Sequence, residues 1–191
     1  MDYTHIAIAL VMGISLSAAC GFRIFVPLFV VGVAVRFCEL HATPALAWTA
    51  TDLGLVCLGV ATLVEIAAYY IPVVDNFLDT IHGPLAVVAG TILVGGLLVD
   101  MPPALQWGLG VVAGGGAAGA VKAGAATLRA ASTATTAGIG NCVVATVENG
   151  CAAAGSVLAV VAPVVAAVCL VVAVALVCSF LYKRNREKEE S

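Results

Sequence analysis

The hydrophobic pattern divides the chain into long apolar runs joined by short polar connections. The first run, Ile6 to Phe37, is too long for one straight spanning helix. At 1.5 Å per residue it would extend ~48 Å against a hydrocarbon core of ~30 Å. Gly21 and Pro27 bracket the place where it can break. The pattern therefore predicts a helix, an irregular link near Cys20 to Arg23, and a second helical piece. Within a membrane, such a break is tolerated only where protein or a watery cavity satisfies the freed backbone groups.

Residues 38–52 form the first polar connection, with Trp48 where interfacial aromatics sit. Leu53 to Ile71 follows as a span, interrupted by Glu65 and closed by Tyr69, Tyr70, Ile71 and Pro72. Residues 73–83 carry Asp75 and Asp79 and read as a short polar loop at the membrane surface. Pro84 then opens a third span to Val99, because a first-turn proline forfeits no hydrogen bond. Asp100, Met101, Pro102 and Pro103 mark the midpoint. Ala104 to Ala131 is again too long, ~42 Å if helical, with Gly114 to Gly116 as its weak point and Lys122 and Arg129 inside. Ser132 to Thr136 and Gly138 to Asn141 are the least hydrophobic part of this half. Val143 to Ala154 holds Glu148, and Val157 to Tyr182, with Pro163 near its start, is the last span.

Three marks recur in order: a basic residue in a broken glycine-containing helix, a Val-Glu pair, and a proline opening an apolar helix. They are Arg23, Glu65 and Pro84 in the first half, and Lys122, Glu148 and Pro163 in the second. The expected fold is an all-α polytopic membrane protein of about six transmembrane segments, some broken, arranged as a 3+3 inverted repeat. The halves would be residues 1–100 and 104–182 of one transmembrane domain, with a charged tail at 183–191. Chance alignment in sequence so rich in Gly, Ala and Val is the competing explanation.

Composition strengthens the membrane reading, since 62% of the 191 residues are hydrophobic and only 10% charged, against about a quarter charged in soluble domains. The net charge of −3 hides an asymmetry: four of eight basic residues (Lys183, Arg184, Arg186, Lys188) lie in the last nine. Basic flanks stay on the cytoplasmic side, so the tail is expected there. Glu187, Glu189 and Glu190 share the tail and no other basic face exists, which argues against nucleic-acid binding. Seven scattered cysteines without a C-x-x-C pair suggest small buried hydrophobes. Ser17 to Cys20 resembles a cleavage site, but residues 1–5 lack positive charge and include Asp2, and the apolar sequence continues, so a retained first span is expected.

Arg23, Glu65, Asp75, Asp79, Lys122, Arg129 and Glu148 are the charges within the membrane halves. They can merely pair, Arg23 with Glu65 or an aspartate and Lys122 or Arg129 with Glu148. Buried pairs often fail to recover their desolvation cost, however, so a functional pathway is the sharper reading. Asp75 and Asp79 share a helical face if helical and could hold a proton or cation; Lys122 and Arg129, seven apart, could receive an anion or snorkel. His82, beside Gly83 and Pro84, could relay protons, but a lone interfacial histidine is usually just solvated. Neither His5 nor His41 has partners at ligand spacing, so no metal or other cofactor is expected. No catalytic motif is present, and an enzyme is not expected.

Several short motifs, taken in order, resemble a known family. They are Ser17-Ala18-Ala19-Cys20-Gly21-Phe22-Arg23-Ile24-Phe25-Val26-Pro27, then Glu65, Ile71-Pro72-Val73-Val74-Asp75 and Asp79, then Gly140-Asn141 and Val147-Glu148. The sequence is similar, over about residues 10–175, to the bacterial membrane family catalogued as domain of unknown function four-one-two-six. The resemblance implies a polytopic bacterial protein and no particular activity. That family tends to have Asp-Lys before the Ile-Pro and Glu-Asp at the later glutamate. Here Tyr69-Tyr70 and Asn149 stand instead, so no mechanism needing a lysine at Tyr70 or paired acids at Glu148 carries over.

The expected function is a small transporter or channel-like carrier for a small ion or anionic solute, proton- or cation-coupled, in the bacterial inner membrane. Its pathway would use Arg23, Glu65, Asp75, Asp79, Lys122, Asn141 and Glu148. Expected partners are the lipid bilayer, the unknown solute, and further copies of the chain packed through small-residue helix faces. A non-transporting scaffold or accessory subunit is the alternative.

Overall fold

A computed structural model describes residues 3–99 and 101–189. Asp2, Asp100 and Glu190, used above for the N-terminus, the midpoint and the tail, lie outside the described residues, as do the side chains of the other tail charges. Among the described residues all regular structure is helical. The helices are α1 (Tyr3–Cys20), α2 (Phe25–Phe37), α3 (Pro44–Ala47), α4 (Asp52–Ala68), α5 (Pro72–Leu97), α6 (Pro103–Leu109), α7 (Gly116–Thr136), α8 (Asn141–Val161) and α9 (Pro163–Glu189).

Among the described residues, four stretches are long and apolar enough to cross a membrane: Tyr3–Cys20, Phe77–Leu97, Pro103–Thr136 and Asn141–Val161. A fifth is formed if Pro44–Ala50 and Asp52–Ala68, bent by 78° at Thr51, count as one broken span. Helix α1 is the centre of the bundle, buried from Met12 to Cys20 and packed against α5, α7, α8 and α9. Its face carries Leu16 and Cys20 into a core with Leu28, Val31, Leu58, Leu93 and Leu97. Ser17 donates from Oγ to the Gly90 carbonyl at 2.8 Å, tying α1 to the middle of α5.

The break predicted between Ile6 and Phe37 is present: α1 stops at Cys20, α2 starts at Phe25, and Arg23 lies in the link. Gly21 is required there, because a Cβ would meet Val121 Cβ at 2.6 Å and the Ala118 carbonyl at 2.7 Å. The link is pressed against α7 with no space for a side chain.

Other elements differ from expectation. The connection 38–52 contains α3 and a 3₁₀ turn at Trp48–Ala50, with Leu46 and Thr49 buried beneath. Residues 73–83 are not a surface loop, and Pro84 does not open a helix. Pro72 takes the first-turn position, and α5 runs through Pro84 to Leu97. Gly83 makes this tolerable, because the ring of a proline crowds the Cβ of the residue before it and glycine has none.

The run from Pro103 is not broken at Gly114 to Gly116. It passes through a π-helical stretch, Gly110–Gly115, that joins α6 to α7 as a single 34-residue segment. The glycines serve packing: a Cβ at Gly110 would lie 2.8 Å from the Thr91 carbonyl, and one at Gly90 would lie 2.7 Å from the Gly114 carbonyl. Helix α5 and the π turn thus meet backbone to backbone.

Ser132 to Thr136 belongs to α7, which ends where Ala137 and Gly138 take positive φ of 53° and 89°. The last two helices divide at Ala162 and Pro163 rather than between Ala154 and Val157. The marks of the sequence repeat also sit in unlike places. Arg23 is in a break but Lys122 is within α7, and Pro84 is inside α5 but Pro163 starts α9.

Candidate functional site

Helices α5 and α7 each present one ionised face, and these faces meet. Asp75 and Asp79 are four apart on α5, and Lys122 and Arg129 are seven apart on α7, so each pair projects from one side of its helix. Lys122 Nζ donates to Asp79 Oδ1 at 2.6 Å. Arg129 Nη1 donates to Asp75 Oδ1 and approaches Asp79 Oδ2 at 3.7 Å. The same guanidinium turns its other edge to α8, where Nε meets Glu148 Oε1 and Oε2 at 3.1 and 3.2 Å and Nη2 donates to Oε2.

Glu148 also receives Arg23. Nη1 of Arg23 donates to Glu148 Oε2 at 3.0 Å and to its neighbour's carbonyl, Phe22, at 2.6 Å. Nε donates to Asn149 Oδ1 at 2.5 Å, and Nη2 to the Ala145 carbonyl at 3.4 Å. Arg23 is 0% exposed, yet every guanidinium nitrogen has a partner, which a buried arginine requires. Tyr69, 2% exposed, supplies an aromatic surface: the Arg23 guanidinium carbon is 3.7 Å from its ring centroid, and that of Arg129 is 4.7 Å away.

Glu65 is not the partner of Arg23, nor is an aspartate. It accepts from the Ile24 N–H at 2.8 Å and the Phe25 N–H at 3.1 Å, on separate oxygens. These groups open α2, where unsatisfied N–H groups and the helix dipole favour a carboxylate. Glu65 therefore holds the break in place from α4. Its Oε1 faces His82 Nε2 at 3.7 Å. His82 is buried rather than solvated, with Nδ1 2.6 Å from the Tyr69 hydroxyl.

Asn141 lies apart from this centre, at the start of α8. Its Nδ2 donates to Thr133 Oγ1 at 3.0 Å, and its Oδ1 is buried without a partner. It lines an open groove of about 450 Å³ with Asp79, Arg129, Thr133 and alanines of α7. Arg23 and Glu65 do not line that groove.

Six of the seven residues proposed from sequence thus gather in one buried region, with Asn141 at its rim. The expected pairing of Arg129 with Glu148 is present, while Lys122 pairs with Asp79. The pathway expected from the sequence did not include Tyr69, His82, Asn149 or Arg129, although Arg129 was weighed as a partner of Glu148 and as an anion receiver. Tyr69 could have been found, since it lies one helical turn beyond Glu65. Asn149, which holds Arg23 Nε through its Oδ1, donates from Nδ2 to the Tyr70 hydroxyl at 3.3 Å, and that hydroxyl is 3.0 Å from Thr146 Oγ1. Among the described residues no three His, Cys, Asp or Glu side chains are grouped to hold a metal ion.

Counting charges, three cations (Arg23, Lys122, Arg129) face four carboxylates (Glu65, Asp75, Asp79, Glu148). The excess of one carboxylate suits the cluster chemically to taking up a proton or a small cation. No curated protein and no solved structure matches the chain. The model of one family, described as a domain of unknown function, matches residues 10–183, a stretch that contains the broken helix and every member of the cluster. The chain belongs to that family, DUF4126.

Proposed function

We propose that this is a small integral-membrane transporter or channel-like carrier for a small ion or anionic solute, coupled to a proton or cation. The observation that supports it most is the continuity of the charges. The line from Arg23 through Glu148 and Arg129 to Asp79 ends at an open groove. Ionised groups at this depth are costly, and apolar side chains of similar volume would hold helices together as well. Arg129 and Asn141 offer donors to an anionic group entering the groove, and the surplus carboxylate offers a place for the coupling ion. Uptake of radiolabelled anions and cations into proteoliposomes, with and without a pH gradient, tests this. Solute-independent background in every case would remove it.

The reading includes six crossings, counting α1 with α2, α4, α5, α6 with α7, α8 and α9, in two related halves. Helix α2, Phe25–Phe37, is apolar but short, which suits one piece of a broken span. A bacterial inner membrane with the charged tail in the cytoplasm fits the basic residues there. Open space beside Gly124, Gly150 and Gly155 leaves room for a second copy of the chain to approach closely.

A second reading, a non-transporting scaffold or accessory subunit, is favoured by one observation: Arg23 is sealed away from the groove and fully paired. Accessibility of cysteines placed along the groove separates the two.

A further inference from the structure

One carboxylate of the cluster has no cationic partner within it. Asp75, Asp79 and Glu148 each lie at ion-pair distance from an arginine or lysine. Glu65 accepts from two backbone N–H groups and faces His82 Nε2 across 3.7 Å. His82 is 3% exposed, and its Nε2 is a buried nitrogen with no hydrogen-bond partner. An ionised carboxylate repels a nitrogen lone pair, so the neutral ring turns its proton to Glu65. Nδ1 is then the acceptor and the Tyr69 hydroxyl the donor of the bond between them. The two groups are aimed at one another with a gap too long for a hydrogen bond.

We propose that Glu65 and His82 together form a proton-binding site, with Tyr69 as the residue that positions the imidazole. One proton from water converts the pair either to a carboxylic acid facing a neutral imidazole or to a carboxylate facing an imidazolium. In the imidazolium form Nδ1–H donates to the Tyr69 oxygen, and the hydroxyl hydrogen turns away. No other bond is made or broken, and the titration belongs to the pair rather than to either group. Charges act on the pair from every side: Arg23 from the link, Lys122 and Arg129 from α7, Asp79 from α5, and the Cys20 thiol of α1 lies beside Glu65. The proton balances the surplus negative charge of the cluster.

The site also reaches the broken helix. A protonated Glu65 is a weaker acceptor for the Ile24 and Phe25 N–H groups, so proton uptake loosens the cap that holds the Arg23 link. This deepens the carrier reading, and rests on it, by naming the coupling ion and the element it moves. The proton site itself is tested without any solute.

Infrared difference spectra of the purified protein in lipid nanodiscs, recorded across pH steps in H₂O and D₂O, test it. A carboxylic-acid carbonyl band is expected to appear on acidification and to be lost in Glu65→Gln. His82→Gln is expected to keep the band and move its midpoint by about one pH unit, the size of a strongly coupled pair. The remaining acids contribute their own bands in both proteins; a Glu65→Gln difference spectrum that lacks no carboxylic-acid component of the unmutated one overturns the proposal. Should Glu65→Gln fail to insert, an unmoved midpoint in His82→Gln overturns it. A protein that shows the band yet carries no solute keeps the proton site and loses the carrier.

Discussion

Arg23 and Glu148 lie 125 positions apart in sequence and 3.0 Å apart in space, and their contact joins the broken first helix to α8. Glu148 is shared with Arg129, so one carboxylate fixes two arginines from different elements.

Replacing Arg23 by Met keeps the aliphatic stem of the side chain and removes the guanidinium with its charge. Breaking a buried pair from one side costs about 3–5 kcal/mol; the loss is expected at the lower end, because Glu148 keeps Arg129. Combining it with Glu148→Gln is expected to recover part of the loss, as a coupling of about 0.5–3 kcal/mol for groups in one network. Denaturant titration in lipid or detergent checks this, and strictly additive losses would show that the contact does not carry the coupling.

Tyr69 offers a cleaner separation of packing from hydrogen bonding. Tyr69→Phe keeps the ring under both guanidiniums and loses the bond to His82, which costs about 1–3 kcal/mol where the imidazole is left unsatisfied. Tyr69→Ala removes the ring as well and is expected to cost more, about 3–5 kcal/mol, the range for deleting a buried aromatic side chain. Thermal unfolding of the two variants checks the order; equal losses would contradict the stacked arrangement.

Much of the fold was readable from residues that constrain the backbone locally. Gly21 and Pro27 announced the break at Arg23, and Glu65, Asp75, Asp79, Lys122 and Glu148 announced themselves as charges in apolar sequence. Pro84 misled because a Gly-Pro pair resembles a helix opening, although Pro72 had already taken that role and Gly83 let the helix continue. Gly114 to Gly116 misled for a different reason: glycine both weakens a helix and lets two backbones touch, and only the presence of Gly90 across the interface decides between them. The partners of Arg23 were beyond reach, since nothing local distinguishes Glu65 from Glu148. Tyr69 was passed over because an aromatic at the end of an apolar run looks interfacial, although its place one helical turn beyond Glu65 puts it on the same face.

That interface makes a prediction about glycine itself. Gly90→Ala puts a methyl 2.7 Å from the Gly114 carbonyl and is expected to destabilise by about 1–3 kcal/mol through overpacking. Gly124→Ala in α7 meets open space and is expected to stabilise by up to about 1 kcal/mol through helix propensity. Comparative melting of the two variants checks the opposite signs.

Asp79 and Arg129 of the cluster line the groove, and its accessibility is directly measurable. In a background with the native cysteines replaced, since Cys38, Cys57, Cys142, Cys151 and Cys169 are exposed, Ala130→Cys on the groove wall is expected to react with a membrane-impermeant thiol reagent. Ala18→Cys, buried in α1, is expected to stay unlabelled. Labelling at both positions, or at neither, would contradict an open groove over a closed centre.

The account turns on whether the buried charges serve movement of a solute or ion, and flux in proteoliposomes tests that most directly. Unmutated protein is expected to carry a proton- or cation-dependent flux that Glu65→Gln and Asp79→Asn abolish while both variants still insert at normal levels. Equal flux in all three proteins, or none above empty liposomes in the unmutated one across the ion and anion screen, would contradict it.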